Sequence, residues 1–224
     1  MKCTWLGQGG LLFEKDGFHI LIDPYFSNSV EKINPKNFRR IPVNEAYLNI
    51  QPDVMIFTHN HLDHYDPETV PFFLNSESRV VVLAPRSVWD EVRNIGGENN
   101  YVLFNRHTSW TEGGIQFDAV MASHSDPSPI GVIIRDGEKT YYVTGDTLYN
   151  EEIFADLPKG IDTIFLPVNG AGNNMNMTDA ARFAKRIGAA RTVPIHIGMF
   201  DTLSAEDFIC ETKFVPEVYK EFVL

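Results

Sequence analysis

The stretch Thr58-His59-Asn60-His61-Leu62-Asp63-His64 directly follows the apolar run Val54-Met55-Ile56-Phe57, so three imidazoles and a carboxylate arrive at the end of a strand-like segment. In extended chain successive side chains alternate sides, so His59 and His61 point the same way and can share one ion. Asp66-Pro67 then signals a helix start, with Asp66 as N-cap and Pro67 at the first helical position. A turn there swings Asp63 and His64 away from the first pair, which lets one loop serve two adjacent ions. Residue types and spacing both point to metal chemistry.

Further candidates lie along the chain. His124 in Ala122-Ser123-His124-Ser125, Asp146 in Thr144-Gly145-Asp146-Thr147 and His196 in Pro194-Ile195-His196-Ile197 each follow an apolar, strand-like run and precede a break. Strand ends are where the loops of a sheet converge on one site. The set His59-x-His61-x-Asp63-His64, His124, Asp146 and His196 resembles the metallo-β-lactamase superfamily, whose members are mostly hydrolases with one or two metals at the edge of an αββα sandwich. The resemblance spans nearly the whole chain and implies an α/β four-layer αββα fold. Its combination with Leu21-Ile22-Asp23-Pro24, Pro167-Val168-Asn169-Gly170 and Pro194-Ile195-His196-x-x-Met199-Phe200 looks most like the branch containing ascorbate-6-phosphate lactonase.

By that resemblance His59, His61 and His124 hold one metal, Asp63, His64 and His196 a second, and Asp146 bridges both. Asp63 also aligns the attacking hydroxide, and Asp23, at the end of its strand, orients a ligand histidine. The donor set is nitrogen and oxygen without thiolate, which suits two divalent ions, Zn or Mn, with Fe as a further fit. Two such ions lower the pKa of a shared water from about 16 to about 7. Asn169, Gly170 and Asn173, in the loop Asn169-Gly170-Ala171-Gly172-Asn173-Asn174, are the candidate substrate-binding residues, because amides and glycine backbone can hydrogen-bond a sugar-like or phosphorylated ligand. His19 and His107 have no comparable partners and read as structural.

Composition narrows the function classes. At 224 residues, 43% hydrophobic and 22% charged, the chain suits one globular domain over 1–224. Nineteen basic against 30 acidic residues give a net charge of -11, which weighs against a nucleic-acid partner and an anionic membrane surface. No apolar run reaches membrane-spanning length and no signal peptide is visible, so the expected compartment is the cytoplasm. Cys3 and Cys210 make no disulfide framework and read as inert thiols. Self-association stays open.

Along the chain, strands are expected at 3–6, 10–14, 18–22, 79–84, 101–104, 115–121, 131–135, 140–144, 162–167 and 191–195, with Asp16-Gly17 and Asp136-Gly137-Glu138-Lys139 as hairpin turns. Helices are expected over 67–74, over 85–94, from a Thr178 cap to Gly188, and after Ser204-x-x-Asp207. Residues 27–50 read as a long irregular connection whose Arg39 and Arg40 form a solvated charge pair. The leading reading is a metal-dependent hydrolase that uses a metal-bound hydroxide on a small molecule, a lactone or ester, with a sugar phosphate lactone within range. Its alternatives are a metal-dependent phosphodiesterase and a non-catalytic metal-binding ligand sensor of the same fold.

Overall fold

Strand alternation decides the layers. In the computed structural model, which describes residues 1–224, Leu11 and Phe13, Ile20 and Ile22, Val54 and Ile56, and Leu83 join one buried cluster, while Leu12, Leu21, Met55 and Val82 join another. The first faces a second sheet and the second faces helices and loops, so these strands are apolar on both faces. Phe13 meets Phe165 across the sheets with ring centroids 5.3 Å apart. Most of the core lies in this interface.

The chain opens with β1 (Lys2–Gly7), β2 (Gly10–Lys15) and β3 (Phe18–Ile22), an antiparallel meander. Asp16 and Gly17 both have positive φ, 52° and 82°, as the tightest hairpin turn requires. After α1 (Ser29–Ile33), β4 (Val54–Ile56) and β5 (Val81–Ala84) add in parallel, and α2 (Arg86–Val92) leads to β6 (Asn100–Leu103). The second sheet takes β7 (Ser109–Glu112), β8 (Ile115–Met121), β9 (Ile130–Arg135), β10 (Thr140–Val143), β11 (Thr163–Pro167), α3 (Met177–Ile187) and β12 (Arg191–Ile195). A final β13 (Glu221–Val223) pairs with β1. The sheet orders are β13-β1-β2-β3-β4-β5-β6 and β12-β11-β10-β9-β8-β7, the α/β sandwich expected from the motif set. No helix is long and apolar enough to cross a membrane.

Several expected elements differ. Residues 67–74 form turns and a single 3-10 turn, Val70–Phe72, because Pro71 lacks the N–H a second α-helical turn needs. Asp66 closes the turn that precedes it, accepting from the Glu68 N–H at 3.1 Å, and the residue at the cap position is Thr69. The cap of α3 is Asn176, whose side chain accepts from Asp179 N at 2.9 Å; Thr178 lies inside the helix. After Ser204 only Ala205–Asp207 coils, since the chain then runs extended along β12, with Thr192 and Phe214 donating to Thr212 and Thr192 carbonyls at 2.8 Å. Segment 27–50 contains α1 and a 3-10 turn at Glu45–Asn49. Two strands escaped the periodicity: β7 is a polar edge strand hairpinned through Gly113-Gly114, and β13 is only three residues long.

Arg39 and Arg40 are not a solvated pair. Arg39 donates to the Tyr25 and Ile41 carbonyls and to the Tyr219 hydroxyl, while Arg40 donates to the Met199 carbonyl and stacks on Phe38. Cys3 is buried and Cys210 half-buried, both free.

Candidate metal centre

The metal loop is tied to β3 by one carboxylate. Asp23 accepts from the Thr58 N–H at 2.8 Å, from the Thr58 hydroxyl at 2.5 Å and from His64 Nδ1 at 2.8 Å. Because the Thr58 hydroxyl donates to Asp23, it accepts from His59 Nδ1 at 3.0 Å. These bonds hold a proton on Nδ1 of His59 and of His64 and direct both Nε2 atoms inward. Asp23, Gln8 and His196 hold left-handed backbone, φ 43°, 50° and 57°, each just past a strand. Non-glycine residues adopt that region at a cost, and such strain gathers where side-chain placement matters more than stability.

Three donor groups result. His59, His61 and His124 form one nest, Asp63, His64 and His196 another, and His59, His64 and Asp146 lie across both, with the ligand atoms of each group within 4.8 Å of one another. Asp146 sits between the nests: its Oδ2 is 3.1 Å from His196 Nε2, 3.9 Å from His124 Nε2 and 4.0 Å from His59 Nε2, and its Oδ1 is 3.3 Å from His64 Nε2. His61 Nδ1 and His124 Nε2 face each other at 3.1 Å, and the Nε2 atoms of His64 and His196 at 3.2 Å. Donors around one tetrahedral ion with bonds of about 2.1 Å stand roughly 3.4 Å apart. His59 Nε2 is buried without a hydrogen-bond partner, so its lone pair is orphaned unless a cation takes it. The residues fit metal ions.

Charge points the same way. Burial, with His64 beside it, holds the His59 imidazolium well below the usual histidine range, and burial lowers His124 as well. Burial also opposes the charged forms of His64 and His196, yet Asp146, Asp23 and Asp63 hold His64 well above its ordinary value, and Asp146 with Asp63 holds His196 at about 9. Burial would raise the two carboxyls, but His64 and His196 bring Asp63 and Asp146 below the carboxylate range. The site already gathers positive charge around two ionised aspartates.

Four contributors are not visible in the sequence. Gln8, buried at the end of β1, donates to Asp63 Oδ2 at 2.9 Å and packs its carboxamide on the His196 ring, while its own carbonyl accepts the His196 N–H. Asp126 accepts from the Asn60 N–H at 2.9 Å and from the Ser87 hydroxyl and Ser128 N–H, joining the loops that carry His61 and His124. Asn174 donates to Asp146 Oδ2 at 2.8 Å. Gly9 lies so near His64 that a Cβ there would fall 2.6 Å from the ring. Asp63 lies 55 residues from Gln8, Asn60 lies 66 from Asp126 and Asp146 lies 28 from Asn174, which explains why no local pattern betrays them.

A cavity of about 400 Å³ opens over both nests. Of the residues expected to bind substrate, Asn169 and Asn173 line it; Gly170 does not. Gly170 instead makes the tight return to Asn176, with φ 68° and a virtual Cβ 3.0 Å from the Asn176 side chain. His19 and His107 lie apart from the nests, beside Glu14 and Asp156.

Comparison with known proteins agrees with this geometry. The family described as Beta-lactamase superfamily domain matches residues 19–197. A UPF0173 metal-dependent hydrolase of Geobacillus thermodenitrificans is 29% identical, over 92% of this chain and 89% of its own length. Among solved structures, isothiocyanate hydrolase from Delia radicum gut bacteria superposes with a TM-score of 0.76 at 18% identity, covering 100% of this chain and 99% of that one. The metallo-beta-lactamase fold protein YhfI from Bacillus subtilis gives 0.72 at 18%, covering 99% of each. Those two likenesses concern the fold alone, but the family match covers most of the chain, and on it the protein belongs to the metallo-β-lactamase superfamily.

Proposed function

We propose that this chain is a metal-dependent hydrolase of a small molecule, a lactone or related ester. The observation that carries the reading is the pair of donor nests sharing Asp146 beneath one cavity. His59, His61 and His124 would hold one ion, Asp63, His64 and His196 the other, with Asp146 serving both. Divalent ions so held supply Lewis acidity and lower the pKa of water from about 16 to about 7.

The chain's residues do the rest. Asp23 fixes the tautomers of His59 and His64. Asp63, fixed by Gln8 and reaching the cavity wall, aligns the attacking water. Asn169 and Asn173 meet the substrate's polar atoms from the side. The motif resemblance read from the sequence suggests the lactone or ester, and a relative described as a metal-dependent hydrolase supports the reaction class.

The test is turnover of a panel of alkyl lactones and esters by Zn- or Mn-loaded protein, beside the same protein carrying Asp146→Ala. The reading expects hydrolysis that chelator abolishes and Asp146→Ala lacks. Chelator-resistant hydrolysis, or none with either metal, contradicts it.

A further inference from the structure

The cavity above the nests has two unlike walls. One is the amide-rich loop after β11, represented by Asn169, Asn173 and Asn174; the other is formed by Val30 of α1 and by Phe200. The apolar wall continues outward. Ile33 lies one turn beyond Val30 on α1, and exposed Phe38 and Leu203 flank the same two segments, which are joined by the Arg40 N–H donating to Met199 O at 3.0 Å. Tyr25 holds Phe200 from behind, edge-on at 5.8 Å.

No lysine or arginine lines this cavity. Lys36, beside Asn37 in sequence, and Lys32, paired with Glu68, lie outside the lining, and Arg39 and Arg40 are bound to backbone carbonyls and to aromatic rings. In the loop after β11 the N–H groups of Gly170, Ala171 and Asn174 donate within the loop, while those of Gly172 and Asn173 have no partner in the chain. Beyond the nests the one charged residue in the lining is Asp201, whose Oδ1 accepts from the Gly198 and Leu203 N–H groups at 2.9 Å each and is thereby fixed.

We propose that the substrate is uncharged outside its reacting group, with an apolar arm laid across Val30 and Phe200, and that Asp201 helps reject molecules whose arm ends in phosphate or carboxylate. The inference rests on the hydrolase reading and narrows it away from phosphorylated lactones. An anionic arm laid across Val30 and Phe200 leaves water, meets no lysine or arginine in the lining and faces the Asp201 carboxylate, whereas sites built for phosphate set arginine or lysine beside their N–H donors.

The test separates binding from turnover. Isothermal titration on the metal-loaded full chain would compare two hydrolysis-inert cyclic ethers that share one alkyl arm, ended by a methyl ether or by a free carboxylate, with the matching lactones assayed for hydrolysis alongside. The neutral ether should bind roughly 10- to 100-fold more tightly, the range of one uncompensated polar burial. Asp201→Asn, which keeps the Oδ1 contacts, should narrow that ratio severalfold and Asp201→Lys should narrow it further, chiefly by tightening the anionic member. Equal or tighter binding of the carboxylate, or no binding of either ether, overturns the proposal, as does a ratio unmoved in both variants. Preference for the neutral ether without lactone turnover would sink the hydrolase reading and leave this selectivity standing.

Discussion

The nest of His59, His61 and His124 is made of imidazoles alone, half open to the cavity, while that of Asp63, His64 and His196 sets two buried imidazoles among carboxylates. Their supports differ in kind. The first is steadied by loop contacts, Asp126 on the Asn60 N–H and the Asn173 carbonyl on His124 Nδ1. The second is steadied at strand ends, by Gln8 past β1 and by Asp23 past β3, which also reaches His59 through Thr58. One family motif thus feeds two sites of unlike rigidity and charge, and a variant can be aimed at either or at what they share.

Asp146→Ala strikes both and should have the largest effect. Metal content should fall from two ions per chain to below one, with affinity loss greater than the 10- to 100-fold typical of outer-shell changes, as read by elemental analysis after dialysis. Asp23→Ala also reaches both, through His64 directly and His59 by way of Thr58, and should weaken each ion about 10- to 100-fold. It further leaves the Thr58 and His64 donors buried without a partner, a loss of about 2–4 kcal/mol visible in thermal unfolding of the metal-free chain. If Asp23→Ala weakened only one ion, the shared-carboxylate account would be wrong.

A matched pair then separates the nests. Gly9→Ala pushes on the His64 ring and should weaken the second ion roughly tenfold, while Asp126→Asn turns an amide donor against the Asn60 N–H and should weaken the first by a similar or smaller factor. Competition with a chromophoric chelator should show one affected phase in each variant. Identical profiles would erase the distinction.

The smallest effect belongs to Asp156, away from both nests. It holds the Arg106 guanidinium and accepts from the Met121 N–H, and Arg106 above all keeps its carboxyl at about 2. A carboxyl depressed on folding stabilises the chain above its unfolded value near 4, and that share is lost as pH falls through about 2. Discounted for the solvent around Arg106, Asp156→Asn should lose about 1–2 kcal/mol at neutral pH, with less loss at pH 3 and two ions still bound.

Much of this architecture was legible in the residues. Short apolar runs located all the central strands, and the His59 to His64 motif located the centre, because both are local patterns. Asp23 was legible for the same reason, standing at the end of its strand. The supports of the nests were not, since Gln8, Asp126 and Asn174 act on partners far away in sequence and resemble ordinary loop residues. Helix 67–74 misled because a good cap at Asp66 outweighed Pro71, and β13 was too short for its alternation to register. Gly170 attracted attention as ligand-facing backbone but serves its own turn.

The central claim is two ions in two nests joined by Asp146, and metal stoichiometry tests it most directly. Tag-free protein, stripped and reloaded with Zn or Mn, should carry two ions per chain by elemental analysis, and Asp146→Ala, shown folded by circular dichroism, fewer than one. No uptake of either metal by the wild-type chain, or two ions persisting in Asp146→Ala, would contradict the account.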